Sequence, residues 1–369
     1  MRSRQWLAVA PVAAILAIGV AACGSSSNDS GNPGSAASTG GSSSGSGGTI
    51  NGAGSTLAQP IYQQWGSDLK GQGITLNYQG VGSGAGVAAF AAGTADFAAS
   101  DPALLPADKS TIKKSPPVQI PTVFGAITVS YNLPGVQKGL KLDGKTVADM
   151  YLGKVTKWND PEIASQNPGV KLPSSNITVI HRSDESGTTK AFTTFLEDWS
   201  PEWKSKVGAD KTVKWPLGTG AAKNSGVAAA VKQTSGSVGY VEEAYALQNN
   251  FTTADVKNKA GKYVEPTLAT TSAAGENLTV PADLGISTIN SPNPAAYPIV
   301  SQTFIDVHKD VCKGGMSPSN AKALKSFLIY ALGPGQKVAT QLFYAELPAP
   351  LLAKAKEQVT KLQCNGSPL

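Results

Sequence analysis

The chain has 369 residues, 41% of them hydrophobic, enough for one large or two ordinary domains with cores of their own. Its formal net charge of +6 is spread along the sequence, and no block of Lys or Arg could follow a nucleic-acid backbone, so nucleic-acid binding is set aside. His181 and His308 are the only histidines, and neither has ligand-like spacing to the cysteines, which leaves no metal or cofactor site to argue for.

Arg2 and Arg4 precede an almost wholly apolar run from Trp6 to Val20, which ends Val20-Ala21-Ala22-Cys23. The run is too short for an ordinary spanning helix. It resembles a bacterial lipoprotein signal, which implies removal of residues 1–22 and a lipid on Cys23. A plain secretory signal with an incidental cysteine is the alternative. Residues 24–48 are nearly all Gly, Ser, Asn, Thr and Ala, so 23–48 reads as a lipidated cysteine and a flexible tether. Such a tether spans about 25–30 Å root-mean-square. In an exported protein Cys312 and Cys364 pair most simply as a disulfide that staples the C-terminal segment; two free buried thiols are the alternative.

Three times the body repeats one design, a strand, a small-residue turn and a helix start carrying hydroxyls. The first is Gly52-Ala53-Gly54-Ser55-Thr56-Leu57, leading into a helix from Ala58. The second is the alternating strand Ile74 to Gln79, then Gly80-Val81-Gly82-Ser83-Gly84 before a helix over 87–92. Its glycines do not reach the G-x-G-x-x-G spacing of a dinucleotide site. Asp101 closes a short strand ahead of Pro102 and reads locally as a turn residue or cap. Gln119 to Leu133 is a long apolar strand, a candidate crossing between lobes. Gly139 to Thr146 matches the P-loop pattern in letters, but no buried strand precedes it; Thr146 is expected to cap a helix over 147–152.

The third and most informative copy follows Ile177 to Ile180: His181-Arg182-Ser183-Asp184-Glu185-Ser186-Gly187-Thr188, then a helical run. The first N–H groups of a helix lack internal partners and favour an anion. Arg182 adds a guanidinium fork that Asp184 could hold in place. A capped helix with a surface arginine is the plainer reading of this stretch alone. Farther on, Asn224-Ser225-Gly226 could line a cleft, 250–290 is opaque, and 297–307 is a second candidate crossing.

Seven blocks, Gly52 to Thr56, Tyr78 to Gly84, Asp96 to Asp101, Leu142 to Thr146, Tyr151 to Lys154, Arg182 to Thr188 and Gly239 to Glu242, stand in one order over nearly all of 49–350. Together they resemble the substrate-binding lipoproteins of phosphate-specific ABC transporters. The resemblance implies an α/β, two-lobed periplasmic-binding-protein fold (type II) with two mixed sheets, flanking helices and two crossing strands. It implies lobe I over 49–125 plus 296–369 and lobe II over 126–295. It assigns phosphate to Thr56, the Leu57 backbone, Ser83, Asp101, Arg182, Ser186, Gly187 and Thr188, with Asp184 in support. Leu57 and Glu185 depart from the residues usual in that family, and Glu185 is expected to point to solvent. Also implied are separate permease and ATPase subunits, a monomer, and a lipid-anchored place on the extracytoplasmic face of the cell membrane.

In that setting Asp101 can accept a proton carried by phosphate, whereas sulfate carries none, so Asp101 is the expected filter against sulfate. No nucleophile elbow, metal cluster or convincing Ser/His/Asp set argues for an enzyme. A carrier for another oxyanion and a phosphate sensor or surface lipoprotein without transport are the competing readings.

Overall fold

The computed structural model describes residues 47–369, so the expected signal segment, Cys23 and most of the tether lie outside the described residues. Three parallel strands open the body: β1 (Gly48–Gly54), β2 (Ile74–Gly80) and β3 (Phe97–Ser100). They alternate with α1 (Gln59–Leu69), α2 (Ser83–Ala92) and α3 (Pro106–Thr111). Next comes the 16-residue strand β4 (Pro117–Asn132). After it run β5 (Lys141–Leu142), α4 (Gly144–Tyr151), α5 (Pro161–Ala164), β6 (Thr178–Arg182), α6 (Gly187–Trp199) and α7 (Pro201–Lys206). Then follow β7 (Thr219–Ala221), α8 (Lys223–Gln233), β8 (Ser237–Glu242), α9 (Glu243–Gln248), β9 (Thr252–Thr253), β10 (Asp255–Lys257), β11 (Tyr263–Val264) and α10 (Leu268–Ala273). The chain ends with β12 (Val300–His308), α11 (Pro318–Ala331), α12 (Pro334–Gln341), α13 (Ala349–Thr360), β13 (Gln363–Cys364) and β14 (Ser367–Pro368).

The α/β class and the mixed sheet expected from the sequence are present, but the two ladders are continuous. One path runs β2-β1-β3-β12-β4-β8-β6-β7, with β9 added on β4. The join is β4 itself. Its residues 117–126 pair with β12, and 127–132 pair with β8, both antiparallel. A strand this long can serve both ladders because Ile120 to Tyr131 is buried throughout, an unbroken series of apolar and small side chains. The other candidate crossing differs. β12 begins at Val300 and stays within the first ladder, while the preceding segment meets β4 at Ile127, through its N–H to the Ile299 carbonyl at 2.8 Å and its carbonyl from the Tyr297 hydroxyl at 3.1 Å.

Each half of the sheet carries its own aromatic cluster. Tyr62, Trp65, Phe97 and Phe327 interlock under β1 and β3, and Tyr151, Phe192, Trp203, Trp215 and Tyr240 do so beside β6 and β8. Burying one such ring contributes roughly 1.5–3 kcal/mol, so each cluster is a firm base for the turns at its edge.

Two local expectations are corrected. α4 starts at Gly144, and its cap is Asp143, whose carboxylate accepts the Thr146 N–H at 2.8 Å; Thr146 lies inside the first turn. Aspartate in extended backbone reaches the third N–H of a helix, which a residue already in the helix cannot do. The opaque 250–290 stretch is partly ordered: β10 and β11 join β5 in a separate three-stranded sheet. Cys312 and Cys364 form a disulfide, which ties the β13–β14 hairpin to the end of β12.

Candidate anion-binding site

The site lies where the turns after β1, β2, β3 and β6 converge. Gly54 must be glycine: its φ is +142°, and a Cβ there would sit 2.1 Å from the Ala99 carbonyl oxygen. The Gly54 carbonyl accepts the Val81 and Gly82 N–H groups, which draws the first two turns together. α2 then starts at Ser83, and the Ser83 hydroxyl lies 3.4 Å from both Asp101 Oδ2 and the Asp101 N–H.

Asp101 is buried at the end of β3, where Thr303 Oγ1 donates to its Oδ1 at 3.0 Å. Burial pushes its carboxyl up, against the opposing pull of the Ser55 and Thr303 hydroxyls and of Arg182. From the other half of the sheet, Gly187 comes so near that a Cβ would lie 1.6 Å from the Asp101 carbonyl oxygen and 2.4 Å from Oδ2. Gly187 is the first residue of α6. Its cap is Ser186, whose hydroxyl oxygen accepts the Thr189 N–H at 3.2 Å.

Arg182 supplies the positive charge. Its side chain is 1% exposed, and its Nε and Nη2 donate to the two Asp184 oxygens at 2.7 and 2.6 Å. Partial burial works against the Asp184 carboxylate, but Arg182 outweighs it and holds the carboxyl below its usual range. Asp184 Oδ1 also accepts the Lys223 N–H at 3.0 Å. The Arg182 backbone is fixed by Tyr240, whose hydroxyl accepts its N–H at 3.0 Å and pairs with Thr189 Oγ1 at 2.7 Å. Arg182 Nη1 has no partner although it is buried. A buried guanidinium with one arm satisfied and the other free is suited to an anion with two or more acceptor oxygens.

Contacts link several of the residues the sequence singled out. Asn224 Nδ2 donates to Thr56 Oγ1 at 3.0 Å and to Thr188 Oγ1 at 3.2 Å. Tyr245 and Tyr344 pin the same turn by donating to the Thr56 and Leu57 carbonyls at 2.8 and 2.7 Å. Among the described residues the N–H groups of Leu57, Ser83, Gly187 and Thr188 find no partner, as helix starts and tight turns leave them. Glu185 is exposed, yet it does not project freely: a Cβ on Gly84 would meet its Cδ at 1.9 Å, so its carboxyl lies across the start of α2. His181 faces away, its ring stacked on Trp215 with centroids 4.6 Å apart.

Sequence reasoning missed Ser55, Asn224, Tyr240 and Thr303 as parts of this arrangement. Ser55 sits inside a block already singled out, and Asn224 inside a stretch noted as possible cleft lining. Thr303 had no local signal, since it reaches Asp101 from a strand 202 positions away.

A family model described as a PBP superfamily domain matches residues 37–334. The phosphate-binding protein PstS of Pasteurella multocida is 41% identical over 303 residues, which span 81% of this chain and 86% of that protein. The PstS of Methanocaldococcus jannaschii is 40% identical over 315 residues, 79% of this chain and 78% of that one. Among solved structures, a high-affinity periplasmic phosphate-binding protein bound with phosphate at pH 8.5 aligns with a TM-score of 0.70 at 23% identity, over 84% of this chain and 93% of that chain, a likeness of fold. The chain belongs to the PBP superfamily and, within it, to the family of PstS phosphate-binding proteins.

Proposed function

We propose that the protein binds inorganic phosphate between Asp101 and Arg182 and delivers it to the permease and ATPase subunits of an ABC importer. The observation that carries this reading is the buried Arg182 with a free Nη1, together with the unpartnered N–H groups of Leu57, Ser83, Gly187 and Thr188. Phosphate would be held by Thr56, the Leu57 N–H, Ser83, Asp101, Arg182, Ser186, Gly187 and Thr188, with Asp184 holding the guanidinium. Charge-assisted hydrogen bonds contribute about 1.5–3 kcal/mol each, so micromolar or tighter binding is within reach after ordering costs.

Asp101 supplies selectivity in this scheme. It is the one carboxylate among the proposed ligand residues, and an acceptor there demands a ligand that brings a proton. Phosphate does so at neutral pH; sulfate would set oxygen against oxygen. The segments 49–125 plus 296–369 and 126–295 act as two lobes that close on the ligand, hinged where β4 passes from one ladder to the other. The protein works as a monomer on the outer face of the membrane, tethered through a lipid on Cys23, and catalyses no reaction. Among the described residues no helix is long and apolar enough to cross a membrane.

Calorimetry on ligand-stripped protein, titrated with phosphate and then sulfate, tests the reading. Phosphate heat at micromolar concentration or below with none from sulfate is expected. Equal binding of both would make the protein a general oxyanion carrier, and binding of neither would sink the proposal.

A further inference from the structure

We infer that Asn224 is a positioning residue that fixes the direction of the site's threonine hydroxyls, committing Thr56 to donate and biasing Thr188 the same way. The inference rests on the phosphate reading above. Asn224 is the second residue of α8 and is fully buried. The residue before it, Lys223, has φ +69°, a left-handed conformation in a non-glycine residue, and its N–H is held by Asp184 Oδ1. The same carboxylate that clamps Arg182 therefore also aims the start of α8 at the site.

The orientation of the Asn224 amide follows from its neighbours. The Glu242 N–H donates to Oδ1 at 3.0 Å, and an N–H can only donate, so the amide oxygen must face β8. The Nδ2 hydrogens are left for the two threonines, Thr56 Oγ1 at 3.0 Å and Thr188 Oγ1 at 3.2 Å. Thr56 Oγ1 accepts a second bond, from the Asn224 N–H at 3.3 Å. A hydroxyl has two acceptor positions and one proton. With both acceptor positions of Thr56 filled, its proton is free only for a further acceptor, and Thr188 is biased in the same direction.

A hydroxyl in solution serves equally as donor or acceptor. In this site that ambiguity would blur the discrimination that Asp101 provides, because a threonine accepting a ligand proton would do the work of the carboxylate. Asn224 removes the ambiguity and leaves Asp101 as the acceptor. It also joins the two halves, since Thr56 lies on the turn after β1 whereas Thr188 and Asn224 start α6 and α8.

Asn224→Asp tests this. The variant keeps size and the acceptor for Glu242 but has no hydrogens to donate, so the threonine protons turn toward the new carboxylate and away from the ligand. Phosphate affinity measured by calorimetry should fall at least 100-fold at pH 8. The loss relative to the unaltered protein should shrink as pH falls toward 5, because the introduced carboxyl regains a donor hydrogen. An affinity within threefold of the unaltered protein, or a loss constant with pH, overturns the role of Asn224 while the phosphate reading stands. Should the unaltered protein fail to bind phosphate, the phosphate reading itself falls. Asn224→Ala combined with Thr56→Val gives a second measure that adds no charge. The double variant should lose less than the sum of the two single-variant losses, and strict additivity overturns the inference.

Discussion

Replacing Gly187 by Ala should abolish tight phosphate binding without harming the fold. Gly187 has no left-handed backbone to protect, and it opens α6, where alanine is intrinsically favoured over glycine by about 1 kcal/mol in a helix interior. The obstacle is purely one of space. The added Cβ would lie 1.6 Å from the Asp101 carbonyl oxygen, where ordinary contact begins at 3.4 Å, a shortfall of 3.4 − 1.6 = 1.8 Å. Neither partner can give locally, because the nearest atom is backbone and Asp101 is held by Ser83 and Thr303. The halves of the site must therefore separate by a distance that carries donors on one wall beyond hydrogen-bond range. Losing two charge-assisted bonds at about 1.5 kcal/mol each weakens binding on the order of 100-fold or more. Calorimetry gives the affinity, and thermal melting of the ligand-free protein gives the fold. A phosphate affinity within threefold of the unaltered protein, with the melting temperature unchanged, would refute the claim that this close approach is required for binding.

Asp101→Asn should gain sulfate binding and lose preference for phosphate, measured as the ratio of the two affinities. The same variant should melt higher than the unaltered protein when ligand-free at neutral pH. Burial raises the Asp101 carboxyl in the folded state, so its contribution to stability is greatest at low pH and is lost as pH rises through the folded value, a loss the amide avoids. Lys211→Met should weaken phosphate binding roughly 10-fold, because it strands Asp108 in a nearly buried ion pair of 2.7 Å that joins α3 to the segment beside Ser186. Equal affinity in a titration series would show that the pair does not hold the site in shape. Changing both Cys312 and Cys364 to Ser should lower stability by about 4 kcal/mol on chain-entropy grounds and leave phosphate affinity intact. The cross-link closes a separation of 52 residues far from the proposed ligand residues in sequence, and a drop in affinity would contradict that independence.

What could be read in the sequence was local in origin. Ser83, Ser186, Gly187 and Thr188 stood out because a strand, a small-residue turn and a helix start follow one another directly, and the same contiguity produces the free N–H groups. Arg182 and Asp184 were legible as a pair for the same reason, two residues apart on one turn. Thr303, Tyr240 and the cap of α4 show the limit. Thr303 reaches Asp101 only because β12 lies between β3 and β4, an order that no short window of sequence encodes. Tyr240 stood inside the block Gly239 to Glu242 with no role of its own, and its hydroxyl acquires meaning only when β8 sets it beside β6. The single continuous ladder was hidden likewise, since the length of β4 was visible but its change of partner between residues 126 and 127 was not.

On the proposed reading of the site, one arginine would be enough. A second full positive charge opposite Arg182 would hold any oxyanion more strongly but would blunt the penalty that Asp101 imposes on an unprotonated one. Here Asp184 takes half of the Arg182 fork, leaving Nη1 as the one arm without a partner. The rest of the attraction comes from N–H groups and hydroxyls, whose strength depends on direction as well as distance. A site acting as proposed would tell a protonated oxygen from a bare one, because its donors and its single acceptor are held at fixed places. Directional neutral groups need rigid support, and the Asn224 amide, the Tyr240, Tyr245 and Tyr344 hydroxyls and the two aromatic clusters supply it. On the proposed reading, selectivity would lie as much in the residues behind the ligand-facing groups as in those groups themselves.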